Sequence, residues 1–526
     1  MDPIVLYLPA EIDSERLPAV LAAGHVCALE APRRVHCRYV DSADRRLLAA
    51  GLVLVGDETG WRLTALRTDE VVASCSAAPG DPPRTVDEFP PAGDLRRRLR
   101  ELLGSRALVD LLAVASEVRP WRLLAAGGEV VLRADLCRLV IEGSTGGAPL
   151  RLVTLQAASG REDIAATVCA GAEARGLTRI PGAKTGFLLS AAGLRPDPSA
   201  GGFRVELAPD STAREAAVRI GRALLRAIRA NEAGVKAGVD AEFLHDLRVA
   251  VRRTRSALGQ LGGVFPRDDT DRFEREFAAL GRLTGPLRDL DVCLLGERRF
   301  RELVPPALAP GLDGFFEQLR TRRESALQEI REALDSPGYR RLLIDWRDFL
   351  AAAPAGPAAE EPVAVFARSR LDRRYQRVMR RGSAITAASP DRDLHRLRIQ
   401  CKKLRYLLEF FASLFAADVI EDLVQRLKDL QDNLGEFNDL SLQRRRLCGA
   451  LAALPPDGGQ PTPAAAALAC LAAALSARQG EVRADFAAAF ASFAAGEARR
   501  RFAALGVSTP ATRPAAGRTG NADPPG

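Results

Sequence analysis

HDLRVAVRRTRSAL at 245–258 and HRLRIQCKKLRYLL at 395–408 carry the same pattern, a histidine heading a row of basic residues, in a chain that has only four histidines. The offset is 395 − 245 = 150, and it recurs: RDL at 288–290 aligns with NDL at 438–440, each three residues after a glycine, Gly285 and Gly435. The region is an internal duplication, and what the pattern does is done twice.

As a helix, the first copy places Leu244, Leu247, Val251, Leu258 and Leu261 on one apolar face. His245, Arg248, Arg252 and Arg255 follow at +3, +4 and +3, an arc of about 80° beside that face. The second copy repeats both rows, with Leu394, Leu397, Cys401, Leu404 and Leu408 apolar and His395, Arg398, Lys402 and Arg405 basic. Like charges at helical spacing repel, and a helix that needs only solubility intersperses carboxylates. Neither row contains one. A solvated basic face is the bland alternative, and two rows in matching register argue against it.

Guanidinium and ammonium groups in a row, backed by an apolar shelf, suit an extended polyanion: arginine meets phosphate bidentately, lysine as a point charge. Single-stranded nucleic acid also wants aromatic stacking platforms. The nearby candidates, Tyr406, Phe410 and Phe411, fall by spacing toward the apolar side. The pattern therefore favours bare phosphate and disfavours nucleic acid. The histidines head their helices as exposed polar residues without a triad-like or metal-ligand partner. Their expected role is to donate to phosphate oxygen, more strongly as pH falls toward ~6.5. Lys428 lies on a further helix expected to end near Gly435, and Arg282 and Arg288 flank LTGPLRDLD. Basic residues also fill the helices before each stripe: Arg219, Arg222, Arg226 and Arg229 in one, Arg370, Arg373, Arg374, Arg377, Arg380 and Arg381 in the other.

At 526 residues the chain is long enough for two or three domains. Its 75 Lys+Arg against 67 Asp+Glu leave a net +8, moderate for this length, so the clustering of charge matters more than the sum. The nine cysteines show no C-x-x-C spacing and an odd count, which fits neither a disulfide framework nor a zinc site and reads as a reducing, cytoplasmic setting. MDPIVLYLPAEID lacks the features of a secretory signal. AAAALACLAAAL (464–475) falls short of the ~20 residues of a membrane helix, so no membrane association is expected.

Residues 1–200 mix Val/Leu-rich segments (IVLYL, GLVLVG, WRLTAL, EVVLRADLCRLVIEG, PLRLVTLQ) with glycine breaks, the signature of strands and turns. A Pro/Asp/Gly-rich loop at 78–93 precedes a helix near 94–104, and RPDPSAGG (195–202) leads toward a linker set at 201–210. From 211 to 505 helical periodicity takes over. A Pro-rich break at 352–362 separates repeat one (211–345) from repeat two (362–505), and 506–526 reads as a disordered tail.

FLHDLRVAVRRTRSAL and LHRLRIQCKKLRYLLEFF, with LTGPLRDLDV and LKDLQDNLGEFNDL downstream, resemble the CHAD domain, the conserved-histidine α-helical domain. The resemblance covers 211–505 and implies two pseudo-symmetric four-helix bundles with a basic central surface that binds inorganic polyphosphate. It implies as binding residues His245, Arg248, Arg252, Arg255, His395, Arg398, Lys402 and Arg405, with Arg288 and Lys428. The N-terminal half is similar to the CYTH β-tunnel of the triphosphate tunnel enzymes. RYVDSADRRLLAAGLVLV (38–55) resembles that family's tyrosine–aspartate segment, GWRLTAL (60–66) its next strand and AKTGFLL (183–189) its late lysine segment.

The departures are informative. Where the family opens with a Glu-x-Glu-x-Lys strand, this chain has IVLYLPAE (4–11), whose first acidic residue is Glu11, and LRLVTLQ (150–156) has no carboxylate. Divalent cations need oxygen ligands, which leaves Arg62, Arg119, Arg133 and Lys184 as phosphate contacts without a metal. The expected fold class is thus α+β multidomain, an antiparallel β-tunnel-like domain that has lost catalysis followed by the all-α CHAD domain. The expected function is non-catalytic binding of inorganic polyphosphate, with no cofactor or metal and with recruitment to polyphosphate granules. The alternatives are a metal-dependent inorganic triphosphatase of the CYTH type and a nucleic-acid-binding protein.

Overall fold

The computed structural model describes residues 3–22, 24–76, 83–142, 149–194, 203–454 and 462–506, which fall into two compact units, Met1–Gly202 and Phe203–Gly526. RPDPSAGG at 195–202, which includes the first two residues of the expected linker at 201–210, the tail at 507–526 and residues 78–82 of the Pro-rich loop lie outside the described residues.

The first unit is built on a sheet of ten strands: β1 Ile4–Tyr7, β2 Val26–Leu29, β3 Arg33–Ser42, β4 Leu52–Asp57, β5 Gly60–Ala65, β6 Val71–Cys75, β7 Leu108–Leu124, β8 Val130–Ile141, β9 Leu150–Ala157 and β10 Thr178–Arg179. The order is β10-β1-β9-β8-β7-β3-β4-β5-β6, with β2 also pairing β7, and every pairing is antiparallel. The Val/Leu-rich segments supply β1, β4, β5, β8 and β9. Strand β7 is absent from that reading, since LVDLL blurs its alternation and Pro120 interrupts it. Pro120 falls between the end of the β3 pairing (Arg33 opposite Val118) and the start of the β2 pairing (Leu29 opposite Trp121), where its missing N–H goes unneeded.

Besides a one-turn helix at Leu17–Val20, the helices that accompany the sheet among the described residues are α1 Arg46–Ala49, α2 Asp94–Leu103, α3 Glu162–Glu173 and α4 Lys184–Ala191. Leu123, Val153 and Leu155 pack with Ala165, Val168 and Ala172 of α3, while Tyr39, Val114 and Leu152 pack with Leu188 and Leu189 of α4. The buried aspartate of the 38–55 segment is spent locally. Asp41 accepts from the N–H groups of Ser42, Leu47 and Leu48 at 2.6, 2.8 and 2.9 Å, satisfying the donors that open α1.

The second unit is helical: α5 Ala213–Ala237, α6 Ala241–Gln260, α7 Arg267–Leu283, α8 Gly285–Leu295, α9 Asp313–Asp335, α10 Pro337–Ala352, α11 Val363–Ser383, α12 Asp391–Phe410, α13 Ala417–Ala452, α14 Pro463–Phe493 and α15 Gly496–Ala504. The duplication is visible in the helix starts: α5 and α11, α6 and α12, α7 and α13, and α9 and α14 each begin 150 residues apart (363 − 213, 391 − 241, 417 − 267, 463 − 313). Equivalent residues also meet. Thr212 bridges Pro362, Ala213 N–H donates to the Glu361 carbonyl at 2.8 Å, and Val363 N–H donates to the Ser211 carbonyl at 3.0 Å. That reciprocal pair is what a local two-fold axis requires.

The repeats differ where proline intervenes. Pro286 and Pro337 lack the N–H that would continue a helix, so α7 stops before α8 and α9 before α10. Glu436 and Ala487 occupy the equivalent places, and α13 and α14 run through. Gly435 accordingly does not end its helix, contrary to the expectation from sequence, because a glycine followed by a good helix former costs only ~1 kcal/mol inside a helix. The Pro-rich break between repeats is ordered: Gly356 N–H donates to the Val264 carbonyl at 2.9 Å and Ala358 N–H to that of Gly263 at 2.8 Å. Any Cβ at Gly356 would lie 2.5 Å from the Gly263 carbonyl oxygen, so only glycine permits this approach. Residues 203–210 carry Phe203 and Leu207 onto the same core, with Phe203 edge-on to Phe410 at 5.5 Å.

One apolar cluster spans both repeats, and both leucine rows of the stripes lie in it. Leu247, Leu397, Cys401, Leu404 and Leu408 are all 0% exposed. Leu397→Ala is expected to lower unfolding free energy by ~2–5 kcal/mol in urea melts followed by circular dichroism.

Candidate functional site

Helix α6 begins where Asp240 accepts from the N–H groups of Glu242 and Phe243 at 2.8 and 3.1 Å. The cap fixes where the helix starts, and the buried leucine row fixes which face turns to the core and hence where the basic row emerges. Helices α6 and α12 then pack on each other through their C-terminal halves. Arg252 Nε donates to the Tyr406 hydroxyl at 2.7 Å, Arg253 to Glu409 at 2.5 Å, and Gln260 Nε2 to the Lys403 carbonyl at 3.1 Å. The two stripes therefore converge, with Arg252 of the first beside Arg398 and Lys402 of the second. The histidines, in the opening turns, lie away from the crossing.

Tyr406 is the hinge of this arrangement. It is 1% exposed, its hydroxyl holds Arg252, and its ring lies under the guanidinium groups of Arg253 and Arg405 at 5.6 and 5.7 Å. The expected placement on the apolar side is correct. Sequence gave no sign that it would carry three arginines from beneath.

Carboxylates near the stripes are few, Asp439 coming from α13 and Glu409 from α12 itself. Arg398 lies 3.8 Å from Asp439, and Arg405 3.4 Å from Glu409. Asp289, 150 residues before Asp439, acts on Arg248 in the first repeat. The RDL and NDL motifs thus supply one partial counter-charge to each stripe. Burial and the surrounding arginines Arg252, Arg398 and Arg405 bring the Lys402 ammonium down to about 7, with Asp439 offsetting only part of this. Arg398 is lowered by burial and by Arg252. The Nε atoms of Arg255 and Arg398 are buried without a hydrogen-bond partner.

The remaining residues sort by their contacts. Arg248 donates to the Gly281 carbonyl at 2.9 Å and to Thr284 Oγ1 at 2.8 Å, capping the end of α7, where a cation is favoured. Arg288 donates to the Ala241 carbonyl at 3.2 Å and lies 3.7 Å from Glu242. Its equivalent, Asn438, meets the Nδ1 atom of His395 at 2.9 Å. His395 is exposed, and His245 is half-buried rather than exposed as expected. Burial, then Arg288, bring His245 down to about 4. Its imidazole is therefore neutral near pH 6.5, and the anticipated gain from protonating it there is corrected: a charged ring would be desolvated among arginines. Lys428 is exposed on α13. By the antiparallel register that places Asn438 opposite His395, it falls ten residues, about 15 Å, farther along, level with the last turns of α12.

In the first unit the four basic residues singled out make different contacts, although Arg62 and Lys184 both act on Cys37. Arg62 pairs with Asp57 and donates to Thr59 Oγ1 at 2.9 Å, Arg119 donates to Glu117 at 3.0 Å, and Lys184 Nζ donates to Cys137 Sγ at 3.7 Å. Arg133 is exposed. Among the described residues no group of three His, Cys, Asp or Glu comes together as a metal site, and no helix is long and apolar enough to cross a membrane.

A model of the CHAD domain family matches residues 219–448. Two uncharacterized proteins of Mycobacterium tuberculosis strains are each 30% identical over 219 residues, 39% of this chain and 40% of theirs. The match thus spans less than half the length of these curated relatives. Among solved structures, the chain is similar to the CHAD domain from the plant Ricinus communis (29% identical, TM-score 0.47, 56% of this chain and 96% of that one). It is also similar to PptA from Streptomyces chartreusis (19% identical, TM-score 0.42, 53% and 99%). At residues 219–448, across both stripes and the helices that present them, the chain carries a CHAD domain.

Proposed function

We propose that the helical unit binds inorganic polyphosphate, without catalysis of its own, along the track formed by the two stripes. The observation that carries this is the convergence of Arg252, Arg398, Lys402 and Arg405 on one another with too little negative charge to balance them. Such a cluster is stabilised by a ligand bringing closely spaced charges and oxygen acceptors, and a phosphate chain brings both. His395 and the neutral His245 add N–H donors at the far ends. The CHAD match is consistent with this ligand class. Tyr406, buried beneath the arginines, has no ring face to offer a base, which separates a phosphate chain from nucleic acid. The first unit is read as a CYTH-like scaffold: β1 carries no carboxylate and Asp41 is occupied as a helix cap. Recruitment of the chain to cytoplasmic polyphosphate granules follows from the same reading.

Titration of the full-length protein with polyphosphate of ~100 units over a salt series, with single-stranded DNA as competitor, tests the proposal. Tight binding that weakens steeply with salt and resists DNA is expected; ready displacement by DNA would overturn it. The double variant Lys402→Gln/Arg405→Gln is expected to bind at least about tenfold more weakly, since a hydrogen bond to a charged group contributes ~1.5–3 kcal/mol.

The crowding of these cations also destabilises the fold. Lys402 titrates near 7 in the folded chain against an ordinary 10.5, so the unfolded chain binds the extra proton between those values and stability rises with pH across that window. Lys402→Met removes the penalty. Thermal melts should show it more stable than the parent by over ~1 kcal/mol at pH 6, one pKa unit being about 1.4 kcal/mol, with the gain shrinking as pH approaches 10.

A further inference from the structure

A second basic cluster lies beside the stripes and belongs to one repeat only. Arg370, Arg373, Arg374 and Arg377 of α11 line a cavity of about 210 Å³ together with Gly259 and Gln260 of α6. Neutral groups hold these arginines in place. Arg374 donates to Gln400 Oε1 at 2.5 Å, Arg370 to the Gly262 carbonyl at 2.6 Å, and Arg373 to Ser369 Oγ at 2.8 Å. The Nε atoms of Arg370 and Arg374 are buried without a partner. Lys403 adjoins the cluster, its ammonium lowered by burial and by Arg374, with Glu274 as the carboxylate opposing that shift.

The local two-fold supplies the comparison. The first-repeat equivalents of the four arginines are Ile220, Ala223, Leu224 and Ala227, so the bundle can be built without them. The equivalent of Lys403 is Arg253, which pairs with Glu409 at 2.5 Å. The equivalent of Glu409 is Gly259, on the wall of the cavity. One side of the axis thus has a closed, neutralised ion pair; the other has a cavity, four added arginines and a glycine in place of the carboxylate, with Glu274 of α7 beside it, its Oε1 3.8 Å from where a Cβ on Gly259 would lie.

We propose that this cavity is a second phosphate site, separate from the stripes, which takes a di- or triphosphate group such as the end of a condensed phosphate chain. Four guanidinium forks around a small cavity meet clustered phosphate oxygens bidentately. A chain interior lies along the extended stripes, whereas a terminal group fits a pocket of limited volume. Arg255, the last residue of the first stripe, acts on Lys403 and links the two sites. The assignment extends the polyphosphate reading without requiring it, because a short phosphate can fill the pocket alone.

Calorimetric titration of full-length protein with inorganic triphosphate tests it in three variants. Arg374→Gln/Arg377→Gln is expected to lose at least tenfold in triphosphate affinity, and Lys402→Gln/Arg405→Gln to retain it. Gly259→Glu supplies the missing carboxylate on a helical residue whose added Cβ meets nothing closer than Glu274 Oε1 at 3.8 Å. It sets a second carboxylate beside Glu274 and is expected to abolish triphosphate binding while the circular dichroism spectrum keeps the parent's helical content. Unchanged affinity in Gly259→Glu, no binding by the parent protein, or loss confined to the stripe variant would each overturn the pocket. Parallel titrations with ATP separate sources: equal affinity points to nucleotide tails, and tenfold weaker binding to inorganic chain ends. Long-chain polyphosphate binding that survives in the pocket variants would leave the stripe reading standing if the pocket fails.

Discussion

Cations held half-buried beside one another repel, and the helical unit is organised around holding them there. Arg252, Arg398, Lys402 and Arg405 meet where α6 crosses α12, and only a continuous apolar core beneath keeps those helices pressed together. The leucine rows fix each helix's rotation, and Tyr406 supports three guanidinium groups from below. Without Asp289 and Asp439 the crowding would be worse; with a full set of carboxylates the site would be closed. The balance lies between these, where the crowding destabilises the fold and a bound polyanion would relieve it.

Duplication accounts for the way this is built. One stripe offers a few donors over about 15 Å, while two related by a local two-fold give a track with twice the contacts. The Thr212–Pro362 bridge and its reciprocal hydrogen bonds join the repeats at equivalent residues, which keeps the stripes in register. Departures from symmetry are confined to places that tolerate them: prolines split two helices of the first repeat, and α11 carries arginines where α5 carries core residues.

Much of this was legible in the sequence because it is periodic. The leucine and basic rows follow the 3.6-residue period, and the 150-residue offset could be read from two histidines and two glycines. The helix starts obey the same offset. What stayed hidden depends on contacts distant in sequence: Asp439 beside Arg398, Arg288 pressing on His245, Tyr406 under Arg252. His245 looked exposed because a polar residue in a first turn ordinarily is, but in the fold it is half-buried with Arg288 of α8 acting on it. In the first unit, local patterning showed five of the ten described strands, and β7 was obscured by a proline whose missing donor is harmless only because its two partner strands leave a gap there.

The most direct measurement is the number of protons taken up when full-length protein binds polyphosphate near pH 8, from calorimetry in buffers of different ionisation enthalpy, with chains long enough that their titrating ends are negligible. If the phosphates lie against the crowded cations, Lys402 regains its ordinary affinity for a proton on binding. Net uptake is then predicted, with affinity falling as pH rises above about 7, and uptake should vanish in Lys402→Gln. Binding with no proton uptake, equally tight from pH 6 to 9, would place the ligand elsewhere and contradict the stripes as its site.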